Sequence, residues 1–162
     1  MTYDIATREL PGQSIISIRE NVPPADLPAF IGRSFRDLFG HIRLLAIPVA
    51  GEPFAIYHSF GADTIDAEIG LPIHGHVEAA GRITTRELPP VTVAETIHAG
   101  PYEGLADAYA ELTAWIDAHG FEVVGPVRER YLDGPGTGCA PSAYRTIIAM
   151  PIVLVRQPAL AR

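Results

Sequence analysis

The sequence predicts an α+β fold made of duplicated β-β-α-β-β units with pseudo-two-fold symmetry, antiparallel sheets and helices on one face. Three observations predict it. The run Ile5-Ala6-Thr7-Arg8-Glu9-Leu10-Pro11 returns as Ile83-Thr84-Thr85-Arg86-Glu87-Leu88-Pro89, and such self-similarity marks a duplicated structural unit. The segments after each run keep step: β-rich stretches (Ser14–Ile18 and Thr92–Thr96), a proline-led helix, a strand with one tyrosine, and a last strand ending in Pro-Ile. Finally, each copy has one segment with helical apolar spacing among segments rich in strand-forming residues, which is an α+β pattern.

The elements of the second copy are the better defined. Strands are expected near Gly81–Leu88 and Val91–His98, a helix near Pro101–His119, and strands near Gly125–Leu132 and Tyr144–Val153. In that helix Tyr102, Leu105, Tyr109, Leu112 and Ile116 recur every three or four residues and form one apolar stripe. Pro101 suits a first helical turn, where its missing N–H costs no intrahelical bond, and Gly120 supplies the stop. In the first copy the helix near Pro24–Ile42 carries Leu27, Phe30, Ile31, Phe35, Leu38 and Ile42. Pro28 limits how regular its first turn is. His74–Ala80, with Gly75 and two alanines, reads as the linker. The expected organisation is one domain over 1–162, made of two repeats at about 1–76 and 80–155. A pair of such units leaves a seam, and ligand pockets favour seams.

Composition bounds the function. The chain is 48% hydrophobic and 19% charged, as in ordinary globular proteins. Twelve basic against nineteen acidic residues give a net charge of −7, a field that repels phosphates. Direct nucleic-acid binding is therefore not expected. A single cysteine, Cys139, excludes an intrachain disulfide and fits a reducing compartment. No signal peptide and no apolar run of roughly 20 residues is visible, so a cytoplasmic location without membrane association is expected.

The ordered string His98-x-Gly100-Pro101-Tyr102-Glu103, Ala108-Tyr109, Leu112, Trp115-Ile116, Gly120, Gly125-Pro126 and Glu129-x-Tyr131-Leu132 resembles the GyrI-like, or AraC-type, effector-binding domain family. The first half agrees through Pro28-Ala29-Phe30, Phe35, Leu38, Pro53-Phe54-x-x-Tyr57 and Asp66-x-Glu68-x-Gly70-x-Pro72. The resemblance covers nearly the whole chain. It implies a duplicated β-α-β-β core, an extra N-terminal strand per copy, and a small-molecule cleft between copies. Relatives include the drug-sensing domains of multidrug-responsive bacterial transcription activators and free-standing proteins, some of which resemble hydrolases of cyclopropane-bearing natural products. No residues are left here for a helix-turn-helix module, so the expectation is a stand-alone member, related to transcription regulators without being one.

The residues themselves single out Glu129. Along Pro126–Leu132 side chains alternate faces, so Val127, Glu129 and Tyr131 share one and Arg128 and Arg130 the other. If the arginines take the water, the carboxylate is held among apolar and aromatic neighbours. Matching Tyr57 to Tyr131 puts Ala55 at the position of Glu129, so the acid belongs to one copy only. Three readings stand side by side: a structural Glu, an anionic contact for a cationic aromatic ligand, and a general acid/base with its pKa raised by desolvation. Tyr57, Tyr131 and Tyr144 are the expected walls of the pocket, with Tyr102 and Trp115 added from the helix, because aromatic faces attract organic cations. Core packing is the rival reading for each of them, and the favoured one for Tyr102 and Tyr109.

Other signals are weak. His98, Gly100 and Pro101 read as architecture joining strand to helix. His74-x-His76 is too sparse for a metal site, and no metal or other cofactor is expected. Asp66 and Glu68 share a strand face and either add negative potential or are simply solvated. Cys139 has no base partner in the glycine-rich loop Asp133–Ser142, which reads as a mobile lid beside the site. The expected function is binding of a hydrophobic, cationic or polyaromatic small molecule. The alternatives are a hydrolase of cyclopropane-bearing electrophiles using Glu129, and a protein-interaction or enzyme-inhibitor module with a protein partner.

Overall fold

The computed structural model describes residues 2–155. In chain order the elements are β1 (Ala6–Leu10), β2 (Gln13–Val22), α1 (Leu27–Leu45), β3 (Phe54–Phe60), β4 (Ile65–Pro72) and β5 (Thr84–Leu88). Then come β6 (Val91–Ala99), α2 (Leu105–Ala118), β7 (Phe121–Val123), β8 (Val127–Asp133) and β9 (Arg145–Leu154). All strand pairings within the two compact units are antiparallel, and the fold is α+β as expected.

A continuous unit spans Pro11–Pro90, and a split unit joins the residues up to Leu10 to those from Val91 onwards. In the continuous unit the strand order is β3-β4-β2-β5; in the split unit it is β1-β6-β9-β8, with β7 also on β9. The sequence copies and the compact units therefore differ by an exchange. β1 precedes the first copy's remaining strands but pairs with β6 of the second, Ala6 opposite Glu95. β5 opens the second copy but pairs with β2 of the first, Thr84 opposite Ser17.

In the continuous unit α1 packs on β2 and β4 through Phe30, Ser34, Leu38 and Ile42, a strict four-residue stripe that is buried throughout. Pro28 lies in the helix's first turn, and a 3₁₀ turn, Pro24–Asp26, precedes it. The chain leaves α1 through Ala46 in the left-handed region at φ 54°. Neighbouring Ile15 and Ile16 on β2 are both buried, so both faces of that strand are covered. Ile15 packs with Phe54, Ile56 and Leu88. Gly70 is required here, because a Cβ at that position would lie 2.8 Å from Phe54 Cε2 and 3.0 Å from the Ile16 carbonyl. Gly70→Ala is expected to lower stability by about 1–3 kcal/mol, as for other overpacked core sites. A thermal melt unchanged from wild type would show that Phe54 can move aside.

In the split unit α2 buries Ala108, Leu112 and Ile116 against Ala94, Ile148, Met150 and Ile152, with Leu105, Tyr109, Trp115, Phe121 and Val127 at the margins. The helix begins later than its apolar spacing suggests. Tyr102–Gly104 form a 3₁₀ turn, and Gly104 sits so close to His98 that a Cβ would stand 2.8 Å from the ring's Cε1. β7 is an addition to the elements expected from the sequence; it is three residues long and pairs with the far end of β9. No helix among the described residues is long and apolar enough to cross a membrane.

Candidate functional site

The site is built on β8. Its register with β9 pairs Glu129 with Ile148 and Tyr131 with Thr146, while Arg128 and Arg130 pair with Ala149 and Ile147. Ile148 belongs to the core under α2, and directly opposed residues share a face, so Glu129 points to the helix side. It is 5% exposed. The arginines on the other face are half-buried rather than bathed in water: Arg130 Nη2 donates to Glu95 at 2.5 Å, and Arg8 Nε stands 3.1 Å from the same carboxylate. Glu95 is thus the partner of Arg130 on that side of β8, and no spacing signal announces it.

Two phenols meet the Glu129 carboxylate. The Tyr131 hydroxyl donates to Oε2 at 3.4 Å, and Tyr109 donates from α2. Among the described residues the groups that act on it are these two hydroxyls, with no cation beside them. Burial therefore dominates and pushes the carboxyl up to about 7, against the smaller opposite pull of the two hydroxyls. Tyr102 closes the group from the 3₁₀ turn ahead of α2. Its ring centroid is 6.2 Å from that of Tyr131, edge to face, and 5.2 Å from that of Tyr144. Burial pushes the Tyr102 hydroxyl up to about 12, and the neighbouring Tyr144, Glu129 and Cys139 add to the shift.

The approach to Tyr102 is shaped by the loop after β8. A Cβ on Gly134 would lie 2.9 Å from the Tyr102 hydroxyl oxygen, so this glycine lets the loop pass close by. The loop contains two 3₁₀ turns, Pro135–Thr137 and Pro141–Ala143, and delivers Tyr144 to the start of β9. Cys139 Sγ lies 3.1 Å from Thr137 Oγ1 within this loop.

The structure thus gathers Glu129, Tyr131, Tyr102 and Tyr144 and adds Tyr109, which its place in the apolar stripe assigns to the core. Trp115 is engaged elsewhere, near the C-terminal end of α2, stacked on His119 at 4.0 Å and parallel to Phe121 at 6.0 Å. Tyr57 belongs to the continuous unit, where it is buried, opposite Ala67 and 5.1 Å from the Phe60 ring. A bulge comes after both matched tyrosines, between Tyr57 and Ser59 and between Tyr131 and Asp133.

His98 is architectural. It is 5% exposed; its Nε2 donates to the Pro101 carbonyl at 2.9 Å, which leaves Nδ1 to accept from the Tyr3 hydroxyl at 2.9 Å. The Tyr3 N–H also donates to Glu111 at 3.0 Å, tying the N-terminal segment to α2. His76 stands 3.0 Å from Glu78 on an exposed surface.

The continuous unit holds a second buried carboxylate, but a saturated one. Glu68 is 2% exposed and accepts from Arg86 Nε at 3.0 Å, Arg86 Nη2 at 2.5 Å, Ser17 Oγ at 2.7 Å and His58 Nε2 at 2.9 Å. Burial alone would raise its pKa, yet the bonds from Arg86, Ser17 and His58 outweigh it and hold the carboxyl at about 2. Glu68 is thus neither solvated nor a source of free negative potential. Asp66, beside it, is paired with Arg19 by two bonds of 2.9 and 2.7 Å. Of two buried acids, one is fully answered and one is not.

The sequence profile of the GyrI-like small molecule binding domain matches residues 3–153. The chain belongs to this family. Among solved structures, this GyrI-like chain is similar to the C-terminal domain of EcmrR, at 25% identity and a TM-score of 0.84, covering 96% of this chain and 100% of that one. It is also similar to EcmrR in its DNA complex, at 26% identity and a TM-score of 0.83, over 94% of this chain. There it spans 58% of the EcmrR chain's length. The same fold occurs in SAV2435, solved bound to tetraphenylphosphonium, at 15% identity, a TM-score of 0.68 and 94% coverage of both chains. No curated protein matches the chain in sequence.

Proposed function

We propose that this GyrI-like domain binds hydrophobic organic cations, with Glu129 as the charged contact and Tyr102, Tyr109, Tyr131 and Tyr144 as the aromatic surround. One observation carries the reading: a carboxylate 5% exposed that meets phenol hydroxyls and no cation among the described residues. A buried charge is costly until it is paired. An incoming cation would supply that pair, and the tyrosine faces would attract it further. The contrast with Glu68, which carries its own guanidinium, sharpens the point.

Tetraphenylphosphonium is a suitable probe, because its charge does not change with pH. Since the cation pairs with the ionised carboxylate and Glu129 titrates at about 7, affinity is expected to level off above that pH. Below it, affinity should fall by about tenfold per pH unit, because a proton competes for the same oxygens. Fluorescence titration across this range checks it. Absence of binding, or an affinity indifferent to pH, removes Glu129 as the contact.

A second reading is favoured by the same titration near 7, the range in which a carboxyl works as a general acid or base. In it Glu129 orients or deprotonates water for attack on a strained electrophile such as a cyclopropane-bearing natural product. Turnover that disappears in Glu129→Gln while binding persists supports it. A panel of such substrates recovered intact removes it.

A further inference from the structure

Thr146, the second residue of β9, is fully buried, and its hydroxyl has no hydrogen-bond partner among the described residues. A buried hydroxyl left unpaired is costly, and native structures hold few of them without a reason. The register gives its place. Thr146 lies opposite Tyr131 on β8 and opposite His98 on β6, so it shares the helix-side face with Glu129 and Tyr131. Glu129 is paired with Ile148, two residues along β9 from Thr146. The acid and the hydroxyl are therefore diagonal neighbours, with α-carbons about 7–8 Å apart. One small ligand head group spans that distance.

The polar groups beside Thr146 are already committed. His98 uses one ring nitrogen on Pro101 and the other on Tyr3. The Tyr131 hydroxyl is spent on Glu129. Among the described residues, the buried groups still unanswered on this face are one carboxylate lacking a cation and one hydroxyl lacking a partner. A head group that answers both carries a positive charge and at least two N–H donors, one for each. A quaternary ammonium or a tetraarylphosphonium can pair with the carboxylate but has nothing to offer the hydroxyl.

We infer that Thr146 is a specificity-determining residue of the Glu129 site, and that the site selects protonated amines or amidines over cations without N–H groups. The inference rests on the Glu129 reading and adds the second point of contact. The test uses two probes with one aromatic body, naphthylmethylammonium and its N,N,N-trimethyl counterpart, titrated calorimetrically into the full chain. Wild type is expected to bind the primary ammonium about tenfold more tightly, the scale of one hydrogen bond to a charged group. Thr146→Val should bring the two affinities to within about twofold, while Thr146→Ser keeps the preference. Thr146→Val should also melt no lower than wild type, because it removes a hydroxyl that bonds none of the described residues.

Equal binding of both probes by wild type, with Glu129→Gln weakening both, overturns the role of Thr146 and leaves Glu129 standing. A preference that survives in Thr146→Val, or a lowered melting temperature there without change of preference, also overturns it, since the hydroxyl then serves the fold. If neither probe binds, both the inference and the Glu129 reading fall.

Discussion

Glu129→Gln is expected to weaken tetraphenylphosphonium binding by about a hundredfold above neutral pH and to make the folded protein more stable there. The binding loss is that of a buried charge contact, about 2–3 kcal/mol. The stability gain comes from linkage. The carboxyl titrates at 4.5 when unperturbed and at about 7 in the folded chain. Raising the pKa on folding means the native state holds its proton more tightly, so this group's contribution is fully present below 4.5 and is lost as pH rises through about 7. The difference amounts to about 3 kcal/mol. Gln lacks the titration, so its unfolding free energy should lie above that of wild type at pH above about 7 and converge on it in acid. Chemical denaturation at several pH values measures this. If the two proteins keep a constant gap across the range, Glu129 is not a desolvated acid.

The second large effect belongs to the continuous unit. Arg86→Met strands Glu68 in a buried position and is expected to cost about 3 kcal/mol, the lower end for breaking a buried pair because Arg86 itself is 40% exposed on its side chain. Here the linkage runs the other way. Glu68 is depressed to about 2, so its contribution is present above 4.5 and lost as pH falls through about 2. In the variant that dependence should reverse, with mild acid relieving the unpaired charge. Adding Glu68→Gln to Arg86→Met should recover most of the loss. A melting temperature that Arg86→Met leaves unchanged would mean that Ser17 and His58 suffice to hold the carboxylate.

Glu68 also marks where sequence reading stops. Asp66-x-Glu68 on an alternating strand looks like a solvated pair, because charged residues on strands usually face water. What lets Glu68 stay charged where it is buried is Arg86, from the opening strand of the other copy, placed there by the pairing of β5 with β2. Nothing local announces that pairing. The strands Ala6–Leu10 and Thr84–Leu88 carry nearly the same residues, so propensity and pattern read the same whichever copy receives each strand. Arg8 repeats the arrangement in the split unit, reaching Glu95 of the second copy. Tyr109 escapes sequence reading for a related reason. Its spacing puts it on the apolar stripe, and only the approach of α2 to β8 turns its hydroxyl toward Glu129.

By itself the sequence determined whatever depends on period and local chemistry. That covers two copies, one amphipathic helix in each, antiparallel strands with their tyrosines, and an acid on the apolar side of β8. The tertiary structure decided whatever depends on which distant group arrives opposite a given side chain. That covers the exchange of β1 and β5, the pairing of Glu68 with Arg86, the phenols around Glu129, and the solitary hydroxyl of Thr146. The physical reason is range: periodicity acts over a few residues and is written along the chain, whereas the cost of a buried polar group is set by partners that only folding brings within hydrogen-bonding distance.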